Sequence, residues 1–438
     1  MTSSHKTNVV STEPFLKPHG PGTAPPNGAT GALILGGAHG SLAVARSLGR
    51  RGIPVWFLTH DHPIASLSRY TKRSFSWAGP DREGAIDRLL ELARLHRLDG
   101  WVLFACGDAE VRLVAQHHAE LSKIFRLTTP PWQITQFAYD KRLTYRHADA
   151  IGVAYPQSYQ PRDRIDLATL ACRFPVVLKP TSRKQPNTFT LAKGWKARDH
   201  AELLSRYEQA AALLGDDAIV LQEFVPGTGS NQFSYAALWD RGVPVASLVA
   251  RRTRQYPIEF GFTSTCVETV ENGEVDDAAS RFLRSLNYSG IVELEFKFDD
   301  RDGRYKLLDF NARPWTWIAL GAIAGVDFPY LAWQLASGGC VGHIRGRANA
   351  TWMHFARDLV AATQHVLAGT LAPSTYLASF RLPIAFAAFA WDDPVPGLLE
   401  LPLSLYRALS RRVPFMLRAS NGIRSALAET TRVLWRAG

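Results

Sequence analysis

The stretch Gly290–Pro314, GIVELEFKFDDRDGRYKLLDFNARP, decides the fold of this chain. Val292, Leu294, Phe296 and Phe298 alternate with Glu293, Glu295 and Lys297, the period of a strand with one buried face. The charged loop Asp300–Arg304 turns the chain into a second alternating run, which carries Leu307, Asp309 and Asn311 on one face. If that loop closes a five-residue hairpin, Glu295 stands opposite Asp309 and Glu293 opposite Asn311. A slip of two residues keeps the same side chains on the same face. Three carboxylates and an amide on one face repel one another unless a cation neutralises them. Hard oxygen donors suit Mg²⁺ or Mn²⁺, and Mg²⁺ is commonly shared between a few carboxylates and substrate phosphates. Arg313 follows two residues after the amide, within reach of a phosphoryl oxygen. A solvated surface hairpin is the competing reading. Against it, the acids sit in mid-strand, where they are depleted, and the apolar run from Pro314-Trp315-Thr316-Trp317 onward implies burial.

Upstream of the hairpin, two strands end in features suited to a nucleotide. Phe174 to Pro180 is an apolar run ending in Lys179, and Ala218 to Phe224 is a strand closed by Val225-Pro226-Gly227. Asp140-Lys141 opens a helical stretch before both. A nucleoside triphosphate needs cations for its phosphates, an apolar slot with backbone edges for its base, and metal ligands near its β- and γ-phosphates. Lys141 and Lys179 can supply the first, Gln222-Glu223-Phe224-Val225 the second, and Glu295, Asp309 and Asn311 the third.

These motifs, D-K, P-V-V-L-K-P, L-Q-E-F-V-P-G, E-F and D-F-N-A-R in that order, resemble the ATP-grasp superfamily over roughly residues 30–340. LILGGAHGSLAVARSLGRRGIPVWFL, SRYTKRSF, RQYPIEFG, the R-P-W after the metal motif and D-D-P near the C-terminus look like the predicted ATP-dependent carboligases that include D-aspartate ligases. The resemblance implies an α/β and α+β protein: a pre-ATP-grasp parallel α/β domain at 30–135, then an ATP-grasp domain at 136–341 with lobes at about 136–225 and 226–341. It also implies that Lys141 and Lys179 contact phosphates and that the backbone of Glu223 and Val225 meets adenine. Glu295 and Asp309 would bridge the metal, Asn311 would complete its shell, and Arg313 would stabilise the transferred phosphoryl group. Arg251, Arg252 or Arg254 would assist or bind an anionic substrate, with Arg254 the favoured catalytic candidate. The implied reaction joins a small carboxylate, such as an amino acid, to an amine at the expense of ATP.

The sequence departs from the family pattern in three places. Asp309 stands where Glu is usual. The loop after Lys179, TSRKQPNTFTLAKGW, is basic and poor in glycine, so Arg183 and Lys184 would take over electrostatically from a Gly-rich flap. Thr228 to Gln232 offers no carboxylate for the ribose, leaving Asn231 or Gln232. An ATP-grasp relative that binds nucleotide without turnover is therefore one alternative. An NAD-linked oxidoreductase built on Gly36-Gly37-Ala38-His39-Gly40 is another, although Ala38 replaces the second glycine of the dinucleotide fingerprint and Asp61 reads better as a turn residue than as a ribose ligand.

Composition agrees with an enzyme of two to four domains: 438 residues, 46% hydrophobic and 20% charged. Four scattered cysteines provide neither a disulfide framework nor a zinc site. The net charge of +11 comes without a basic stripe or a nucleic-acid motif, so phosphate ligands explain it better than DNA or RNA. Residues 1–29 read as a Pro-, Gly- and Thr-rich disordered tail with no signal-peptide core, and no apolar run reaches the length of a membrane span. The expectation is a cytoplasmic protein, either monomer or homo-oligomer. Residues 342–438 read as a helical extension, whose basic amphipathic end either packs on the protein or lies on the inner face of a membrane.

Overall fold

The computed structural model describes residues 30–159, 164–180, 187–192, 194–256, 263–380 and 383–406. Two compact units divide the chain at Ala387/Ala388. The N-terminal tail, Arg183 and Lys184, and most of the basic C-terminal tail lie outside the described residues.

In the first sheet, β1 (Ala32–Leu35) is buried on both faces, as expected of an apolar run without alternation. It pairs in parallel with β2 (Val55–Thr59) and β4 (Val102–Ala105). With β3 (Thr71–Ser76) and β5 (Arg126–Leu127), the order is β3-β2-β1-β4-β5. Leu33, Trp56, Leu89, Leu103 and Val114 form its core with the crossover helices Ala85–His96 and Asp108–Gln116. Strand order reverses between β1 and β4, and such a reversal opens a crevice at the strands' carboxyl ends.

A small lobe follows, with β6 (Ser158–Tyr159), β7 (Val176–Pro180), β8 (Trp195–Ala197) and β9 (Ile219–Glu223) in the antiparallel order β6-β9-β7-β8. Helix His200–Leu214 covers it, started by the Asp199 side chain accepting from the Glu202 N–H. The large lobe is built on β10 (Gln232–Asp240), β11 (Val243–Tyr256), β12 (Thr263–Val270), β13 (Gly290–Asp299) and β14 (Arg304–Asn311). Helix Gly273–Ser285 presses Val275, Ala279, Phe282 and Leu283 onto Val292, Leu294, Phe296 and Phe310.

Beyond residue 341 the chain carries helices Phe355–Leu367 and Pro373–Ala378, and also three short strands. These are β15 (Ile344–Arg345), β16 (Thr351–Met353) and β17 (Ile384–Phe386). They join the large sheet, whose order is β14-β13-β10-β11-β12-β16-β17 with β15 beside β11. The segment therefore contributes to the sheet as well as adding helices. In the second unit, the chain is helical from 395 to the last described residue, 406. No helix among the described residues is long and apolar enough to cross a membrane.

The β13–β14 hairpin corrects one detail of the sequence reading. Asp299 pairs with Arg304, so the loop has four residues, 300–303, and a bulge at Leu308 takes up the fifth. Glu295 still faces Asp309, and Glu293 faces Asn311. Leu307, in contrast, stands opposite Phe296 in the core and not beside Asp309, because the bulge reverses the alternation between them.

Candidate active site

β13 carries the acidic face, and β14 reaches it only after its bulge. Glu293 and Glu295 project opposite Asn311 and Asp309, and the Asn311 amide donates to Glu293 Oε2 at 3.2 Å. Lys141, the first residue of helix Lys141–Ala150, brings its Nζ to 2.8 Å from Asp309 Oδ1. The bulge also exposes the Leu308 carbonyl, which accepts from Tyr145 at 2.9 Å and from Lys141 at 3.4 Å.

Charge balance in this cluster comes from neighbouring strands. Gln232 donates to Glu295 Oε2 at 2.5 Å, and Arg252 lies 3.4 Å from the same oxygen. Glu293 is 3% exposed. Its burial, reinforced by repulsion from Glu295, pushes its carboxyl up to about 8, and its Oε1 has no hydrogen-bond partner. Two carboxylates, an amide and a further buried oxygen without a partner form the donor set of a hard divalent cation, so the residues fit Mg²⁺.

The hinge strand β9 closes the other side. Lys179 on β7 donates to Gln222 Oε1 at 2.8 Å, and Gln222 is tied in turn to Ser158 and the Pro156 carbonyl. The Glu223 side chain fastens the two lobes together. It accepts from Lys306 at 2.7 Å, Arg301 at 3.1 Å and the Gln157 N–H at 3.0 Å. Arg301 and Lys306 also grip the fully buried Asp299, holding its carboxyl well below the usual range. This lashing fixes the hinge backbone from Glu223 to Val225. Phe224 lies between two cations: Lys196 is 4.2 Å from its ring centre and Lys297 5.4 Å. Burial draws the Lys297 ammonium down to about 8.

One cavity of about 970 Å³ is lined by Lys141, Lys179, Gln222, Glu223, Phe224, Val225, Glu295, Asp309, Asn311, Arg313 and Arg254. Two arginines differ from expectation in what they touch. Arg254 borders the cavity, but its fork is committed to Asp358, with Nε at 2.9 and 3.1 Å and Nη2 at 2.8 Å from its oxygens. Arg251 pairs with Glu268. A bulge in β11 between Arg252 and Arg254 separates them, and Arg252 is the one that meets the acidic face. Arg313 is bonded to Asp108, at the start of helix Asp108–Gln116. Burial alone would lower its pKa, but the charge and hydrogen bond of Asp108, together with the field of Glu293, outweigh this and raise it. Of the two ribose candidates, Gln232 lines the cavity, whereas Asn231 is 3.4 Å from Asp300.

The glycine turn at Gly36-Gly37 takes a different part from dinucleotide binding. Both residues have positive φ, 60° and 77°. A Cβ on Gly36 would fall 2.1 Å from Glu110 Oε1, and one on Gly107 would fall 2.1 Å from Glu110 Oε2. The protein's own buried carboxylate thus fills the cradle where a pyrophosphate would lie.

Three sheets, a cavity bordered by two α+β lobes, and an oxygen cluster facing lysines give the chain the fold of the ATP-grasp enzymes. It is similar to D-aspartate ligase of Enterococcus faecium (strain Aus0004), at 25% identity over 245 residues, which are 52% of this chain and 57% of that ligase. The matched region thus spans little more than half the length of that relative. No family model matches. Among solved structures, the biotin carboxylase domain of Hydrogenobacter thermophilus 2-oxoglutarate carboxylase, in complex with MgADP, ADP and bicarbonate, superposes with a TM-score of 0.58 over 73% of each chain at 15% identity. L-amino acid ligase from Bacillus licheniformis does so at 0.54 over 72% of this chain and 75% of its own, at 16% identity. N5-carboxyaminoimidazole ribonucleotide synthetase from Thermus thermophilus gives 0.53 over 73% and 81%, at 17%. At such identities these structures speak for the fold.

Proposed function

We propose that this protein is an ATP-dependent carboxylate–amine ligase that works through an acyl phosphate and takes an amino acid as one substrate. The reading draws on the names of the D-aspartate and L-amino acid ligases it resembles. The observation that carries it is the convergence of Lys141, Lys179, the hinge strand and the oxygen cluster on one cavity.

In this reading the backbone of Glu223 and Val225 holds adenine, while Lys141 and Lys179 meet the phosphates. Glu295, Asp309 and Asn311 hold Mg²⁺, which supplies charge neutralisation at the β- and γ-phosphates; the same donors accommodate Mn²⁺. Lys141 then leaves Asp309 for a phosphate oxygen. Arg313 and Arg252 stabilise the negative charge of the phosphoryl group in flight, and Arg254 keeps helix Phe355–Leu367 against the sheet. A substrate carboxylate oxygen forms a bond to the γ-phosphorus as the bridging P–O bond breaks and ADP leaves. The amine then bonds to the acyl carbon, the C–O bond to phosphate breaks, and the amine's proton passes to water. No side-chain nucleophile is needed, because catalysis is positioning and charge neutralisation.

Removing one such charge costs about 2.7–4 kcal/mol at the barrier, by analogy with an oxyanion donor. Asp309→Asn and Arg313→Ala are each expected to lower turnover by at least about a hundredfold while remaining folded. ADP release with Mg²⁺, measured against panels of amino acids and amines, is the test. Near-normal rates in both variants would overturn the assignment.

A further inference from the structure

The cavity extends past Arg313 to residues for which nucleotide binding has no use. Asp108 and Arg112 lie one turn apart on helix Asp108–Gln116, at the carboxyl end of β4, and both line it together with Asp81 and Tyr139. Arg112 Nη2 donates to Asp81 Oδ1, Arg313 Nε donates to Asp108 Oδ1, and the Tyr139 hydroxyl donates to the Asp108 carbonyl. Tyr139 lies within the fields of Asp108, Arg313 and Arg112 together, so these groups form one continuous patch.

The two signs are arranged differently. The carboxylates of Asp81 and Asp108 are 63% and 68% exposed, whereas Arg112 and Arg313 are 26% and 24% exposed. Acids therefore face the open space, and guanidiniums form the wall behind them. A simple carboxylic acid would meet two carboxylates before reaching an arginine, and a simple amine would leave Arg112 without a role. A ligand carrying both charges on groups bonded to one carbon satisfies both. A guanidinium has five N–H donors, so Arg112 can take a ligand carboxylate in the fork geometry that suits it.

Resting on the ligase reading, we propose that Asp108 and Arg112 seat the head group of the amino-acid substrate. The Asp108 carboxylate accepts from the ammonium and Arg112 donates to the α-carboxylate, with Asp81 released from Arg112 as the ligand arrives. Arg313, shared between Asp108 and the phosphoryl site, then couples occupancy of the seat to the reacting end of the cavity.

The test uses the full chain with Mg²⁺ and ADP present, and reads binding by calorimetry without requiring turnover. Probes are L- and D-aspartate, L- and D-alanine, and succinate, which is aspartate without its amino group. The wild type is expected to bind one of the amino acids and to prefer aspartate to succinate by at least about tenfold, the worth of a charge-assisted hydrogen bond. Asp108→Asn is expected to erase that preference, and Arg112→Gln to weaken the bound amino acid by at least about tenfold, with MgADP affinity unchanged in both. A structural role for either residue would not shift the aspartate-to-succinate ratio. The seat is overturned if the wild type binds none of these amino acids, or if both variants bind like the wild type. Amino-acid binding without ADP release would sink the ligase reading but leave the seat. Amino-acid-dependent ADP release with unmoved KM values in both variants would do the reverse.

Discussion

Glu293 is the most deeply buried carboxylate of the cluster, 3% exposed. Burial, then repulsion from Glu295, raises its carboxyl from an ordinary 4.5 to about 8. The folded protein thus keeps a proton that the unfolded chain gives up. Its contribution to stability is full below about pH 4.5 and is lost as pH rises through about 8. In EDTA, the melting temperature of Glu293→Gln relative to wild type is therefore expected to climb steadily across that interval. A difference that stays constant with pH would show that Glu293 does not titrate there. Glu295, Asp309 and Asn311 were readable in the sequence because alternation within one hairpin is short-range information. Gln232 and Arg252, which hold Glu295, were not readable as its partners. They reach it from β10 and β11, and only the strand pairing of the folded sheet brings them near.

Single-residue irregularities decide what the strands present. In β14 the bulge at Leu308 puts Leu307 in the core, sets Asp309 opposite Glu295 on the acidic face and supplies the carbonyl that Lys141 and Tyr145 share. In β11 another bulge separates Arg252, on the acidic face, from Arg254, which is tied to Asp358. Bulges are legible only weakly, since one added residue leaves composition and propensity almost unchanged. The Arg254–Asp358 pair was not legible at all, because its members are 104 residues apart. Its energetic role follows from burial: Arg254 is 7% exposed and Asp358 not at all. Asp358→Ala would strand a buried guanidinium and is expected to cost about 3–5 kcal/mol, read as a lower denaturant midpoint. Adding Arg254→Met should recover much of that loss, because a buried pair replaced by apolar groups is nearly neutral. A single variant as stable as the wild type would show that the tie contributes little.

On the scale of the whole molecule, five short motifs in order sufficed to make the ATP-grasp architecture legible, since their spacing follows the order in which the lobes are built. The first domain's share of the cavity was not legible. Asp108, Arg112 and Asp81 sit on loops and helix starts whose neighbours are fixed only when the domain docks on the hairpin through Arg313. The same long-range packing resolves the ambiguous glycine turn, because Glu110 fills it from a different crossover. Nucleotide binding should therefore stabilise the fold through the lobes and leave the glycine turn untouched. At a hundred times its dissociation constant, MgADP is expected to add about 2.7 kcal/mol, visible as a rise in melting temperature. EDTA should remove most of that rise, since Glu295 and Asp309 would then repel the phosphates they otherwise meet through the metal. Lys179→Ala should diminish it, read as a smaller rise in melting temperature than the wild type shows at the same MgADP concentration. NAD should produce no shift with or without Mg²⁺. A rise with NAD and none with MgADP would place the nucleotide in the first domain and remove the ground on which the two-lobed site stands.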